Sequence, residues 1–236
     1  MAPYRWGYSM IAYRRDKFES AGLKFPTDWS DLWREELGDR FSLLDQPREV
    51  IGLTLKKLGH SYNTSDLSKI ADLKTELLKL QQQVKFYSSD NYLQPLILGD
   101  TWLAVGWSTD ILSIKVRYPN IEVVIPPSGT SLWTDLWVQP KQFDSEVKEN
   151  LSLVNEWINF CWQSKSASQI SLFTSAASPI ILSLKEDDLP KDIRNDTLQR
   201  VDAQILENSD FLYPLYPKSL KQYQDLWQEI RLQVKS

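Results

Sequence analysis

The apolar positions of the chain change their spacing several times along its length, and each spacing predicts an element. Trp6 to Tyr13 reads as a strand entered through a turn at Pro3-Tyr-Arg-Trp-Gly7. Lys17 to Gly22 predicts a short helix closed by Gly22, since glycine tolerates the left-handed conformation that ends helices. Thr27 or Asp28 can accept the free amides of a helix carrying Trp29, Leu32 and Trp33. Phe41 to Leu44 is a short apolar strand. Pro47, with no amide hydrogen to satisfy, suits the start of the next helix, and Gly59 suits its stop. Between them Val50, Ile51, Leu55 and Leu58 share a face. Leu67, Ile70, Leu73, Leu77, Leu80 and Val84 recur at three- and four-residue spacing, which predicts one long amphipathic helix.

Further strands are expected at Trp102 to Trp107, Ile121 to Ile125 and Leu132 to Val138, with Ser108 placed to cap a helix after the first of them. Asp144 to Gln163 and Tyr216 to Val234 read as long amphipathic helices, and Ser183 to Asp196 as a charged loop. Strands alternate with helices through the first two-thirds, which predicts an α/β fold with a largely parallel or mixed sheet. After Pro140 the pattern turns mostly helical, so a domain crossover is expected at Val138 to Lys141. No internal repeat or low-complexity segment is visible.

Composition narrows the function classes. Among 236 residues, 42% are hydrophobic and 25% charged, an ordinary globular balance. The formal charge of −4 and pI near 5.2 give no concentrated basic face, so nucleic acid is not an expected partner. A single cysteine, Cys161, excludes an intramolecular disulfide; its apolar setting from Trp157 to Trp162 marks it as a buried small hydrophobe. With one histidine, His60, the chain offers neither a common zinc site nor an obvious Ser-His-Asp triad. No metal or cofactor is expected, and the eight glycines form no phosphate-binding loop. No apolar run approaches the roughly 20 residues that span a bilayer, and the start of the chain shows no apolar export core. The unusual number is ten tryptophans, a residue that packs or stacks on something wherever it is placed.

Three segments can carry chemistry. In Ser131-Leu-Trp-Thr-Asp-Leu-Trp-Val138, strand alternation puts Trp133, Asp135 and Trp137 on one face and Leu132, Thr134, Leu136 and Val138 on the other, where they can bury. A carboxylate between two indoles suits an organic cation, because the rings exclude water and offer π-faces while the carboxylate supplies charge. The alternative is that both tryptophans pack under a helix and Asp135 bonds to backbone amides. Asp45-Gln-Pro-Arg-Glu49 opens a helix just past a strand end, where α/β sheets bind ligands, although acids there also serve simply as caps. Arg48 can pair with either acid. Gly106-Trp-Ser-Thr-Asp110 occupies a similar strand-to-helix junction, with Trp107 as a wall and Asp110 as a ligand group or a first-turn acid. Asp135 with Glu49 also raises a glycosidase reading, since such enzymes use two flanking acids.

Taken together, Pro3-Tyr-Arg-Trp-Gly7, Asp28-Trp-Ser-Asp-Leu-Trp33, Leu44-Asp-Gln-Pro-Arg-Glu-Val50, Lys57-Leu-Gly59 with Asn63-Thr64, Ser89-Asp-Asn91, Gly106-Trp107 and Trp133-Thr-Asp135 occur in the order found in spermidine/putrescine-binding proteins of bacterial ABC importers, which the chain resembles. The motifs run from residue 3 to about 140, and the resemblance continues more loosely to the C-terminus. It implies a periplasmic-binding-protein-like, two-lobed fold of type II, closing on a linear polyamine in the interlobe cleft. Residues 7–137 would form one nearly complete α/β lobe and 138–236 the mostly helical later part of the other. It also implies a monomeric, periplasmic, non-enzymatic protein with importer permease subunits as partners.

Carried over by this likeness, Glu49 would hold a ligand amine, Trp107 and Trp133 would wall the methylene chain, and Asp135 would grip an ammonium. The chain departs from the pattern where Gln46 stands for a second family acid, Ala176 for a tyrosine and Tyr213 for a glutamine. Fewer charges point to a different or shorter amine. The family also has a further stretch before the position of Pro3, so apolar surface is expected to be exposed in the later lobe. Rival readings are a solute-binding protein for thiamine or ferric iron, a carbohydrate-active hydrolase, and a truncated fragment that binds nothing.

Overall fold

Two strands run from one part of the molecule into another, and the fold is built around them. The computed structural model describes residues 1–139, 151–185, 187, 189 and 203–233. Strand β1 is Ala2–Arg14, followed by helix α1 (Arg15–Ser20), β2 (Phe41–Leu43), α2 (Pro47–Lys57), α3 (Leu73–Gln83) and β3 (Phe86–Tyr87). Next come α4 (Leu93–Leu98), β4 (Leu103–Trp107), α5 (Ser108–Lys115), β5 (Ile121–Val124) and β6 (Ser131–Trp137). The rest comprises α6 (Leu151–Cys161), α7 (Ser164–Thr174), α8 (Ala203–Asn208), β7 (Asp210–Phe211) and α9 (Pro217–Leu232). The strand order is β3-β2-β4-β1-β6-β7, with β5 also on β1.

The sheet is mixed, as the alternating pattern predicts. β1 is antiparallel to β4, with Ser9 opposite Trp107, and to β5, with Ile11 opposite Val124. β2 lies parallel to both β3 and β4, and β6 is parallel to β7 with Ser131 opposite Asp210.

The chain divides into two compact units, one of Met1–Gly7 with Trp133–Asp202 and one of Tyr8–Leu132 with Ala203–Ser236. The backbone passes between them at Gly7–Tyr8, at Leu132–Trp133 and once more after residue 202.

In the larger unit Ile11, Phe18, Trp29, Leu32, Phe41, Leu43, Ile51, Leu55, Leu77 and Leu103 form a continuous buried core. Asp28 accepts from the Trp29 amide and, with Asp31, completes a capping box that starts a 3-10 turn over Trp29–Trp33. The Trp29 ring is fully buried, and its indole N–H donates to the Gly129 carbonyl at 2.8 Å. The C-terminal helix was expected with the later lobe. It packs here instead, with Tyr223 and Ile230 in the core of the larger unit, because its apolar stripe faces the same cluster as α2 and α3.

Two local expectations need correction. The long helix expected from Leu67 to Val84 is split into a 3-10 turn over Leu67–Lys69 and α3. Asp66 caps the turn and Ile70 is extended, so spacing alone did not reveal the break. Ser108 does not cap α5; it is that helix's first residue, and its Oγ accepts from the Tyr8 amide at 3.2 Å. Of the helix expected from Asp144 to Gln163, Leu151–Cys161 is observed, while residues 144–150 lie outside the described residues. Most of the charged loop expected at Ser183 to Asp196 also lies outside them.

The smaller unit is held by a bridge between Trp6 and Ala177, with N–H···O distances of 2.8 and 3.0 Å, and by the Trp162 indole N–H donating to the Pro3 carbonyl. Cys161 is buried. Leu136 and Val138, expected to bury, are 47% and 62% exposed, although Leu132 at the start of the same side of β6 is buried. On α6, Leu153, Val154, Trp157 and Phe160 are also exposed, so apolar surface is open in this unit as expected.

Trp29→Ala should destabilise the chain by roughly 3–5 kcal/mol, since it empties a fully buried site and leaves a carbonyl without its donor. Urea unfolding would measure the loss, and a change under about 1 kcal/mol would contradict this account of the core.

Candidate functional site

The candidate residues fall into separate groups in the two units. In the larger unit, Pro47 opens α2 and places Glu49 in its first turn, 5% exposed. Ser9 of β1 donates to Glu49 Oε2 at 2.8 Å. The Ser131 hydroxyl of β6 lies 3.0 Å from Oε1, 2.8 Å from Oε2 and 3.0 Å from Ser9 Oγ. Burial pushes the Glu49 carboxyl above its ordinary range, against the lowering effect of the two hydroxyls and the Arg48 charge. Burial, aided by the Glu49 charge, also holds the Tyr62 phenol well above its usual value.

Arg48 makes no ion pair with Asp45 or Glu49. It donates to the carbonyls of Tyr213 and Tyr62 and to Asn63 Oδ1, and sits over the Tyr223 ring at 5.4 Å. Burial lowers its pKa from a very high value, and it stays charged. Asp45 instead lies 3.9 Å from Arg231, whose guanidinium covers the Tyr87 and Trp227 rings at 4.2 and 5.4 Å. Gln46 precedes α2 and is exposed. The Tyr213 ring is exposed; its backbone amide donates to Asn63 Oδ1.

Trp107 ends β4 and is half-buried. Its ring meets Tyr92 edge-on, with centroids 6.3 Å apart at 87°. The Tyr92 hydroxyl donates to Asp110 Oδ2 at 2.8 Å and accepts from the Trp107 amide at 3.2 Å. Burial, with the adjacent Asp110 carboxylate, pushes that phenol far above its ordinary value. A Cβ on Gly106 would lie 2.0 Å from the Tyr92 ring, so the Gly-Trp motif records the space this ring needs.

The third group is in the smaller unit. β6 carries Trp133, Asp135 and Trp137 at alternate positions. The Asp135 side chain is 48% exposed and accepts from Arg5 Nε at 2.7 Å; Arg5 is 30% exposed. Trp137 packs on Tyr4 with centroids 4.6 Å apart. Trp133 is half-buried, and its indole nitrogen is shielded from solvent without a hydrogen-bond partner among the described residues. Ala176 is buried beside the Ala177 bridge.

Sequence reasoning missed Ser9, Ser131, Tyr92 and Arg5. Ser9 lies in no motif and Ser131 only opens the Ser131–Val138 segment; their role comes from two strands meeting over one carboxylate. Tyr92 directly follows Ser89-Asp-Asn91, and Arg5 lies inside Pro3-Tyr-Arg-Trp-Gly7, so position within a motif was the available signal.

The described strands and helices form a mixed-sheet α/β protein with aromatic and acidic side chains at strand ends. Residues 1–209 match the bacterial extracellular solute-binding protein family, and the chain belongs to it. It is 29% identical over 229 residues to spermidine/putrescine-binding periplasmic protein 1 of Haemophilus influenzae, covering 97% of this chain and 61% of that protein. It is also 29% identical over 209 residues to the spermidine/putrescine-binding periplasmic protein of Escherichia coli, covering 89% of this chain and 57% of that one. A solved spermidine/putrescine ABC transporter substrate-binding protein from Streptococcus pneumoniae superposes with a TM-score of 0.85 at 25% identity, over 98% of this chain and 68% of its own. The chain thus spans 57% to 61% of the length of these two curated relatives. Among the described residues no helix is long and apolar enough to cross a membrane, and no group of three His, Cys, Asp or Glu side chains is placed to hold a metal ion.

Because Glu49 holds its proton more tightly folded than unfolded, the stability linked to it is present below the ordinary carboxylate range and is lost as pH rises through the raised value. Glu49→Gln removes this dependence. Wild type should therefore lose stability relative to the variant as pH rises from the ordinary carboxylate range, about 4, towards neutrality. Urea midpoints of both proteins across that range would show it, and a constant difference would refute it.

Proposed function

We propose that this chain carries the ligand-recognising residues of a polyamine-binding component of a bacterial ABC importer. In this reading Asp135 and Glu49 neutralise ammonium groups, and Trp107 and Trp133 lie along the methylene chain. The observation that carries the reading is the Asp135 carboxylate: half-exposed on a strand between two tryptophans, it already holds a cationic side chain. An alkyl ammonium asks for the same pairing, with an indole face against its methylene groups.

The named functions of the relatives support a polyamine ligand, and the family supports an extracellular setting. A putrescine/cadaverine-binding protein of Pseudomonas aeruginosa, 24% identical over 240 residues, bears the name of shorter diamines. Gln46, where the resemblance implies an acid, fits a ligand with fewer ammonium groups. The proposed setting is the periplasm, where the protein acts as a monomer and delivers its ligand to importer permease subunits without chemical change.

Asp135→Asn should weaken putrescine or spermidine binding by about 1–2 kcal/mol, below the range for a fully buried pair because the side chain is half-exposed. Calorimetric titration of both amines into wild type and variant tests this. An unchanged dissociation constant would remove Asp135 from the site, and absence of binding by wild type would count against the polyamine reading for this chain.

A further inference from the structure

We propose that Arg5 is a built-in competitor for the Asp135 carboxylate and thereby a specificity-determining residue, weakening the binding of highly charged amines relative to less charged ones. The inference rests on the polyamine reading and deepens it. Three observations carry it.

The first is contact. Arg5 Nε donates to Asp135 Oδ2 at 2.7 Å, within the distance range of a charge-assisted hydrogen bond. Any ammonium seeking that oxygen must displace the guanidinium or share the carboxylate with it. The second is placement. The Arg5 guanidinium lies 5.7 Å from the Tyr4 ring centroid, and Tyr4 packs on Trp137, so the cation sits beside aromatic surface within the same unit. The backbone here is fixed as well: the Pro3 carbonyl accepts from the Trp162 indole, and Trp6 is bridged to Ala177. Arg5 is thus flanked on both sides by anchored residues. The third is chemistry. A guanidinium remains charged at any working pH, unlike a lysine or histidine that burial can neutralise. Its repulsion of an incoming cation is permanent and grows with the number of ammonium groups the ligand brings.

The other candidate acids show that this arrangement is particular to Asp135. Glu49 is held by two neutral hydroxyls and Asp110 by a phenol. Asp45 has a cation near it, but Arg231 at 3.9 Å is also committed to two aromatic rings.

Titration calorimetry with putrescine and spermidine on wild type, Arg5→Met, Arg5→Lys and Arg5→Met/Asp135→Asn tests the proposal, with circular dichroism confirming that each variant is folded. Arg5→Met keeps the aliphatic length and removes the charge. It should bind spermidine about fivefold more tightly than wild type, with a smaller gain for putrescine. Arg5→Lys, which keeps the charge, should gain little, and the double variant should lose the gain. Amine binding by wild type that is unchanged or weakened in Arg5→Met overturns the role of Arg5 while leaving the polyamine reading intact. So does an Arg5→Lys protein that gains as much as Arg5→Met. Absence of binding of either amine to wild type and to Arg5→Met overturns the polyamine reading itself, and this inference with it.

Discussion

The Glu49 carboxylate is the point on which the larger unit is organised. It is buried at the first turn of α2, and its bonds come from Ser9 on β1 and Ser131 on β6. Those are the two strands that leave the larger unit, at Gly7–Tyr8 and Leu132–Trp133. A buried carboxyl is costly unless its oxygens are satisfied, so the pair of hydroxyls holds helix and strands in one register. An acid that looks from sequence like a free ligand group is in this structure also a fastening between elements.

The same pattern recurs at the other acids. Asp110 is held by Tyr92, Asp45 lies near Arg231, and Asp135 is paired with Arg5. Tryptophan is similarly committed: Trp107 leans on Tyr92, Trp29 fills the core, and Trp137 packs on Tyr4. Trp133 differs, because its indole nitrogen is shielded and has no partner among the described residues. Such unpaired buried polar groups are few in folded proteins.

Most strands and the helices opened by Pro47 and Pro217 were legible, because apolar spacing and helix-start residues are local signals. What escaped was set by distant partners. The break at Ile70 depends on Asp66 capping a short turn, and the burial expected for Leu136 and Val138 fails because alternation reports a face but not what covers it. The candidate site was legible as residue types at strand ends. Its partners were not: Arg5 and Asp135 are 130 positions apart, and Ser9, Glu49 and Ser131 are joined only by the fold. Nor did helical periodicity say which core the C-terminal helix joins.

That helix has a consequence for biosynthesis. The larger unit draws its core from residues near the start of the chain, such as Ile11, and from Tyr223 and Ile230 near the end of the sequence. During translation, the early strands and α2 emerge long before the helix that completes their packing, and most residues of the smaller unit, from Trp133 to Asp202, are made in between. Closing a core across so long a sequence interval is slow and leaves apolar surface open while the ribosome is still working. The larger unit must therefore wait, sheltered or at risk of aggregation, for the helix carrying Tyr223 and Ile230 before its core can close.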